Sequence, residues 1–428
     1  MQIIRRSSRP LARHNIKGAL VRIDPAQHGW MTAPETVAVM SALGEGRFVG
    51  GAVRNALLGA AVVDVDIAVP MPPAEALVRL TARNIKVVET GIDHGTVTAI
   101  AGHHAFEITS LRRDVETDGR HANVVFTDDW AEDAARRDFT INALYASQTG
   151  EIFDYATGVE DLIAGRVRFV GDARTRIAED YLRVLRLFRF HAWYGRGEID
   201  AEGLRAAAEA RDQLKTLSAE RVAKELLRLL EAGNPGPVLR VMAAAGILPE
   251  LLPGVLQLPR LERLAEIDAE NHFTPDALLR LAALLPDSAQ AALAASGRLK
   301  LSNADRLRLE QALSGERIAA GLSARDTRRL LYRIGAAQFR DKVLLKWASA
   351  PRTAGGLPWR MLLQMGENWQ RPRFALTGRD VMEAGVPEGP EVGRILTEVE
   401  DWWLDGDFAA DEGACRDRLR QVIAQARG

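Results

Sequence analysis

The sequence predicts an α+β protein, with a small α/β head near one end and an all-helical remainder. Two observations carry that reading. Between residues 31 and 150, short apolar or β-branched runs alternate with helical patterns, which describes a small mixed sheet domain. From Ala201 onward, apolar residues recur at helical spacing. The 428 residues are enough for two to four domains with a substantial core. They divide into a basic arm over 1–30, the head over 31–150, a neck over 151–235, and a helical body and tail over 236–428.

Composition narrows the function classes. A formal net charge of -1 excludes a globally basic nucleic-acid binder, so any RNA contact is a local patch. Cys415 is the only cysteine, which excludes an intramolecular disulfide and fits a reducing compartment, the cytoplasm. No apolar run approaches the roughly twenty residues that span a bilayer, so no membrane partner is expected. Arg5, Arg6, Arg9 and Arg13 come without an apolar h-region, which predicts a mobile basic arm rather than a secretory signal. Oligomeric state has no signature in this sequence.

The head begins with a helix over residues 31–46, started near Thr32 or Ala33-Pro34. Arg47-Phe48-Val49-Gly50-Gly51-Ala52-Val53-Arg54-Asn55-Ala56-Leu57-Leu58-Gly59 then runs from a short apolar stretch through two glycines into an apolar-periodic segment. That order predicts strand, tight turn and helix. Gly50 and Gly51 let backbone approach a ligand closely, and the helix start beyond them offers N–H groups to a phosphate. Arg54 adds a bidentate guanidinium for the same anion. Asp64 and Asp66 follow in a β-branched run, two residues apart on a strand and therefore on one face. Two carboxylates side by side resist ionisation unless a cation lies between them. Hard oxygen ligands of this kind suit Mg²⁺, which leaves room for substrate phosphates. A plain glycine turn and a solvated strand would supply the same residues separately; a cradle followed about ten residues later by an acid pair is the informative arrangement.

Beyond the prolines at 70, 72 and 73, Ala74 to Arg83 reads as a helix and Ile85 to Val88 as a strand. His94 to Ile100 and Ala105 to Thr109 read as a hairpin around Gly102-His103-His104. Arg112 to Asp133 is charged and weakly periodic, with Asp114, Glu116, Asp118, Asp128 and Asp129 scattered through it, and is expected to be a surface loop.

The first of these motifs, Gly50-Gly51-Ala52-Val53-Arg54, then Leu57-Leu58-Gly59, then Asp64-Val65-Asp66, resembles the head of the nucleotidyltransferase superfamily. The branch is that of class II tRNA CCA-adding enzymes and bacterial poly(A) polymerases. Asn55 stands where that family has an aspartate. The resemblance implies two Mg²⁺ ions held by Asp64 and Asp66, and a triphosphate held by Gly50, Gly51, Arg54 and Arg137. It also implies a third acid on the second strand of the hairpin, Glu107; an edge-strand glutamate facing water is the alternative. In the resembled enzymes a mobile loop stands where Arg112 to Asp133 lies, and helps switch the nucleotide accepted.

A second motif, Arg136-Arg137-Asp138-Phe139-Thr140-Ile141-Asn142-Ala143-Leu144, opens an apolar segment with two arginines and an aspartate. Arginine is a natural triphosphate partner, and aspartate accepts from a ribose hydroxyl. A helix end whose Arg and Asp pair with each other is the plain alternative. The run matches the same family's Arg-Arg-Asp-Phe-Thr-Ile-Asn motif residue for residue. On that match Arg137 binds phosphate, Asp138 the sugar, and Asn142 braces the turn. Asp154, Gly158 and Asp161 then look like the family's connection from head to neck, with a structural role.

A third motif, Glu179-Asp180-Tyr181-Leu182-Arg183-Val184-Leu185-Arg186-Leu187-Phe188-Arg189-Phe190, reads as one helix. At about 100° per residue, Asp180, Arg183 and Arg186 span about 120° of its surface, with Arg189 at the flank. Guanidiniums on a largely buried helix need anions or acceptors, which a network of nearby carboxylates would also supply. The alternative is base recognition. Aspartate accepts from the amino group of cytosine or adenine, and arginine donates to the ring nitrogen beside it; U and G reverse that pattern. The stretch resembles the Glu-Asp-x-x-Arg motif by which class II CCA-adding enzymes choose nucleotides. Arg186 and Arg189 would then face phosphate or brace Asp180.

In the remainder, Ser218 caps a helix from Glu220 to Ala232, and further helices run over Thr274 to Leu285, Asn303 to Leu313 and Arg325 to Ile334. Arg325, Arg328, Arg329 and Arg333 are candidate tRNA contacts or a solvated face. Leu376 to Met382 and Gly385 to Gly393 resemble the family's tail. The expected activity is metal-dependent addition of the 3′-terminal CCA to tRNA from CTP and ATP, without a nucleic-acid template and with release of pyrophosphate. The expected partners are CTP, ATP and the tRNA acceptor end. A poly(A) polymerase would share every catalytic residue, but no long basic tail is evident. In a non-catalytic RNA-binding relative the acid pair would have decayed, and both acids remain.

Overall fold

The computed structural model describes residues 21–92, 95–118, 121–252, 254, 256–316 and 318–427. Arg5, Arg6, Arg9 and Arg13 of the basic arm and His94 of the hairpin lie outside them. The chain folds as two units, one reaching Ala232 and including Pro237–Leu251, the other Gly233–Gly236 with Leu252–Gly428. Residues on both sides of the 150/151 junction between head and neck fall in the first unit. No helix among the described residues is long and apolar enough to cross a membrane.

In the first unit the opening helix is divided in two, α1 (Gly29–Thr32) and α2 (Pro34–Leu43), with Pro34 in the first turn of α2. β1 (Arg47–Val49), α3 (Gly51–Leu57), β2 (Val65–Val69), α4 (Pro73–Thr81), β3 (Lys86–Gly91), β4 (Thr96–Ala101) and β5 (His104–Ser110) follow. Next come β6 (Arg112–Asp118), β7 (His121–Phe126), α5 (Trp130–Ala135), a 3₁₀ turn at Thr140–Asn142, β8 (Leu144–Ala146) and β9 (Ile152–Asp154). Seven strands form one mixed sheet in the order β3-β4-β5-β2-β1-β8-β9. Within it β2 and β5 run parallel, with Asp66 opposite Glu107, while β1 pairs antiparallel with both β2 and β8. Alternation sorts the side chains. Phe48 and Ile67 turn into one buried layer, whereas Val49, Ala68 and Tyr145 join Leu111, Ala134, Ala143 and Val170 in another.

Residues 112–126, expected as part of an irregular surface loop, instead form an antiparallel hairpin of β6 and β7 in a separate two-stranded sheet. Val124 and Val125 pair with Asp114 and Arg113, and ladder pairing suits β-branched residues despite the charges around them.

The motif turn at Thr140–Asn142 is braced from behind. A Cβ on Gly158 would lie 2.1 Å from the Thr140 carbonyl oxygen, so only glycine allows α6 (Gly158–Ala164) to approach so closely. Asp154 accepts from the backbone N–H groups of Ala156, Gly158 and Val159, which ties β9 to the start of that helix. The Asp161 side chain is 0% exposed and accepts from Thr140 Oγ1 (2.7 Å), Arg166 Nε (2.8 Å) and Arg168 Nε (2.9 Å). Burial alone would raise its pKa, but hydrogen bonds from Arg168, Thr140 and Arg166 outweigh burial and hold it below the ordinary carboxylate value. α7 (Ala173–Glu179), α8 (Leu182–Tyr194), α9 (Ala201–Glu209), α10 (Ala219–Leu230), α11 (Gly236–Ala244) and α12 (Ile247–Leu251) complete the unit.

The second unit is helical: α13 (Leu258–Glu270), α14 (Ala277–Leu284), α15 (Ala289–Leu299), α16 (Asn303–Leu313), α17 (Ala324–Ser349), α18 (Leu357–Glu367), α19 (Gly378–Glu383), α20 (Pro390–Asp405) and α21 (Glu412–Arg427). α17 is broken at Gly335, whose φ of 78° and ψ of 160° are not helical. Before the break, Tyr332 joins the core of α19, α20 and α21. After it, Phe339 lies against Gly366 of α18, and Asp341 binds Arg308 of α16. The candidate RNA-contacting arginines of α17 are committed to acids and carbonyls: Arg325 to the Asp405 carbonyl, Arg328 to Asp407 (2.8 Å), Arg329 to Asp405 (2.5 Å) and Arg333 to Asp401 (3.0 Å).

Replacing Asp161 with Asn is expected to cost about 3 kcal/mol, near the lower end for a broken buried pair because Arg166 and Arg168 still reach water. The folded-state pKa of Asp161 is depressed, so its stabilisation is complete above its unfolded value of about 4 and is lost as pH falls through the folded value. Denaturant titrations at pH 7 and pH 3 check this, with the gap between variant and parent closing toward the lower pH.

Candidate active site

The acids come first because the sheet register brings them together. Asp66 is the second residue of β2, and its register partner Glu107 on β5 projects from the same face. Asp64 lies just before the strand, exposed, at the end of the loop from α3. Burial, then the Glu107 charge, then the Asp64 charge push the Asp66 carboxyl up to about 6, against a smaller downward pull from Arg137. β5 lies between β4 and β2, so Glu107 is not on a sheet edge. Among the described residues no group of three or more His, Cys, Asp or Glu is placed to hold a metal ion. The donor set still fits a divalent, oxygen-preferring ion: hard ligands, few from the protein, and a mutual repulsion that a cation would relieve.

Arg137 stands next to this group. Its Nε donates to Tyr145 (3.0 Å) and Asp133 (3.2 Å), and its Nη2 to Asp133 (2.9 Å). Nη1 has no protein partner among the described residues and lies 3.8 Å from where a Cβ on Gly50 would stand. Burial would lower the pKa of Arg137, but Tyr145 and Asp133 raise it above the usual guanidinium value, so the charge is permanent. Gly50 has φ 65° and ψ −116°, a conformation that favours glycine. Its N–H donates to the Leu144 carbonyl (3.0 Å), so this glycine contributes shape and not a phosphate donor. Gly51 opens α3, and a Cβ there would lie 3.7 Å from Arg54 Nη2.

Arg54 differs from expectation. It is only 6% exposed, and its guanidinium donates to Asn142 Oδ1, to Asn55 Oδ1 (3.2 and 3.3 Å) and to the Tyr194 hydroxyl (2.9 Å). The reason is the helix it sits on, which turns position 54 inward against α8. Burial lowers its pKa, which Tyr194 partly offsets. Asn55 fills the second contact with an amide, and its Nδ2 donates to Ala61 (3.1 Å) in the loop that leads to Asp64.

Asp138 is likewise a junction. Oδ1 accepts from the Phe139 N–H (2.8 Å) and Asn142 Nδ2 (3.0 Å), and Oδ2 from Arg186 Nε (2.8 Å). Burial alone would raise its pKa, but Arg186 outweighs it and holds the carboxylate ionised. A sugar hydroxyl would therefore meet an acceptor already engaged at both oxygens.

The selecting segment is not one helix. Asp180 has φ −155° and ψ 104° and ends α7, and α8 begins at Leu182. Its Oδ1 accepts from the Leu182 N–H (3.1 Å), the backbone competition that makes aspartate a helix starter rather than a helix interior residue. Oδ2 accepts from Arg221 of α10 (2.7 Å). Arg183 donates to Glu179 and to the Arg176 carbonyl (2.8 Å). Arg186 pairs with Asp138 and lies 3.8 Å from Glu225, and Arg189 pairs with Glu225. Neither braces Asp180, which Arg221 holds instead. The carboxylate-network reading of these arginines thus describes their contacts.

Sequence reasoning missed Asp133, Tyr145, Arg221, Glu225 and Tyr194. Asp133 had a signal, since it precedes Arg136 and Arg137 by three and four residues, the spacing of helical neighbours. Tyr145 directly follows the second motif but carries no spacing signal, and Arg221, Glu225 and Tyr194 come from elements distant in sequence.

Known proteins are similar to this chain. Residues 46–168 match the Poly A polymerase head domain family, and residues 198–258 match the family described as the probable RNA and SrmB-binding site of polymerase A. The mitochondrial CCA tRNA nucleotidyltransferase 1 of Danio rerio is 35% identical over 396 residues, covering 89% of this chain and 87% of its own. The CCA-adding enzyme of Levilactobacillus brevis is 30% identical over 90% of this chain and 96% of its own. Among solved structures, the Bacillus stearothermophilus CCA-adding enzyme in complex with CTP has the same fold, with a TM-score of 0.73 at 24% identity over 92% of this chain and 98% of that one. With its relatives matched along nearly their whole length, the chain belongs to the CCA tRNA nucleotidyltransferase family, built on the poly(A) polymerase head.

Proposed function

We infer that the protein adds the 3′-terminal CCA to tRNA from CTP and ATP, without a nucleic-acid template and with release of pyrophosphate. The observation that carries the reading is the Asp66 carboxyl, raised by burial and by the charges of Glu107 and Asp64, with the fixed cation of Arg137 and the Gly50 turn beside it. This is a site for an anionic substrate and a divalent ion together. The family is one of metal-dependent nucleotidyl transfer; we propose Mg²⁺ as the ion, with Asp64 and Asp66 as its ligands and Glu107 alongside. When bound, such an ion neutralises charge at the reacting phosphate and lowers the pKa of the attacking 3′-hydroxyl. The protein groups do the rest. Arg137 Nη1 binds the triphosphate across the side-chain-free surface of Gly50 and Gly51. Arg54 holds Asn142, Asn142 holds Asp138, and Asp138 holds Arg186, so the motif turn and α8 keep one geometry. Asp180 and Arg183 read the base edge after exchanging Arg221 and Glu179 for the nucleotide. The single cysteine favours a reducing location, which we propose is the cytoplasm.

A tRNA lacking its 3′ end, incubated with the divalent ion and with CTP and ATP singly and together, is expected to gain three residues ending C-C-A. A long A tract would instead identify a poly(A) polymerase. Asp64→Ala and Asp66→Ala are each expected to reduce addition by at least about a thousandfold while leaving the circular dichroism spectrum unchanged; retained turnover would overturn the metal assignment. Asp180→Ala or Arg183→Ala is expected to raise incorporation of U and G relative to C and A by about tenfold or more, as losing a base-edge contact does. Equal loss for all four nucleotides would remove their reading role. Because protons and the divalent ion compete for Asp66, its ionised form prevails only above about pH 6. Affinity for the ion, read by isothermal titration calorimetry, is expected to fall as pH drops from 7 to 5. Glu107→Gln removes one like charge, so the midpoint of that fall moves to lower pH.

A further inference from the structure

Asp133 was one acid in a charged stretch of sequence, and the fold makes it one of the most enclosed carboxylates in the head. Its side chain is 1% exposed. Oδ2 accepts from the Tyr145 hydroxyl (2.6 Å) and from Nη2 and Nε of Arg137 (2.9 and 3.2 Å). Oδ1 accepts from Nε and Nη2 of Arg136 (2.8 and 2.5 Å) and from the Arg112 N–H (3.3 Å) at the start of β6. A carboxylate has about four lone-pair positions, and six donors converge on this one. It has no capacity left for a substrate hydroxyl or a metal ion.

We propose that Asp133 is a positioning residue of the triphosphate site, setting the direction in which Arg137 presents Nη1. The inference rests on the reading of Arg137 as the triphosphate ligand. Arg137 is bonded to Asp133, and its charge also reaches Asp66. Asp133 and Tyr145 hold the Nε–Nη2 edge of the guanidinium and leave the Nη1 end beside Gly50. Tyr145, itself 0% exposed, closes the triangle by donating to Asp133 and accepting from Arg137. Without the carboxylate, Tyr145 alone would hold that edge, and the guanidinium would be drawn toward the acids around Asp66. Arg137 would keep its charge and lose its aim. The effect therefore belongs to the phosphates common to CTP and ATP, and not to the base or to tRNA.

The test compares Asp133→Asn, Arg137→Ala and the double variant in full-length enzyme. Steady-state kinetics are measured for CTP, ATP and tRNA, with inhibition by inorganic pyrophosphate as a base-free probe. Asp133→Asn is expected to raise KM for CTP and ATP by the same factor, roughly 10- to 100-fold, as misdirection of a clamp does. It should weaken pyrophosphate inhibition in parallel, leave KM for tRNA and the preference for C and A over U and G unchanged, and add nothing to Arg137→Ala. If Arg137→Ala leaves nucleotide KM and pyrophosphate inhibition unchanged, the reading of Arg137 itself is wrong. If Arg137→Ala weakens both and Asp133→Asn weakens neither, or if the two losses add, the positioning role is overturned. Should Asp133→Asn lower Tm enough to depopulate the fold, Asp133→Glu and Tyr145→Phe decide. A rise in nucleotide KM with tRNA KM held supports the role, and unchanged nucleotide KM refutes it.

Discussion

The ion pair between Asp138 and Arg186 joins two parts of the site that the chain itself keeps far apart. Asp138 belongs to the turn that follows Arg136 and Arg137, and Arg186 to α8, which begins just after Asp180. Because Asn142 shares the same carboxylate and also receives Arg54, one set of hydrogen bonds runs from the start of α3 to the middle of α8. The acids at Asp64, Asp66 and Glu107 border this set through Arg137. A triphosphate and a base are parts of one molecule, so the groups that hold them must keep a constant separation. A rigid junction of charged hydrogen bonds meets that requirement better than apolar packing, which tolerates small slides.

The same logic explains why so many charges are buried here. Asp133, Asp138 and Asp161 are each enclosed, and each would be costly alone. Every one of them takes at least one arginine and at least one neutral donor: Tyr145, Asn142 and Thr140 in turn. The neutral donors fill lone pairs that a guanidinium leaves, so no buried oxygen goes unpaired on that side. The acids around Asp66 form the opposite case. They face one another without such partners, and the Asp66 carboxyl is raised where the other three are lowered. The contrast separates carboxylates that hold the structure from those proposed to hold a cation.

Much of this was legible in the sequence, and for identifiable reasons. Glycines, prolines and β-branched runs marked β1, α3, β2 and α4, and the acid pair was visible because strand alternation is local. Two local readings failed. The stretch through Asp180 looked continuous because arginines and apolar residues keep helical spacing on both sides of the break. Its interruption depends on one side chain bonding the next turn's N–H. Residues 112–126 looked irregular because charge outweighed the β-branched positions that pair in β6 and β7. What could not be read was partnership. Whether Arg54 meets phosphate or Asn142, and whether Asp180 is braced by Arg186 or by Arg221, depends on elements that are distant in sequence, beyond any periodicity.

Gly335 carries a different consequence. In an unbroken helix, inserting one residue rotates everything beyond it by about 100° and exposes a packed stripe on the far side. The non-helical backbone at Gly335 stops that rotation from being transmitted. The stripe that carries Tyr332 and the stripe that carries Phe339 therefore keep separate phases. Insertions and deletions on either flank of Gly335 need to satisfy only one of the two cores.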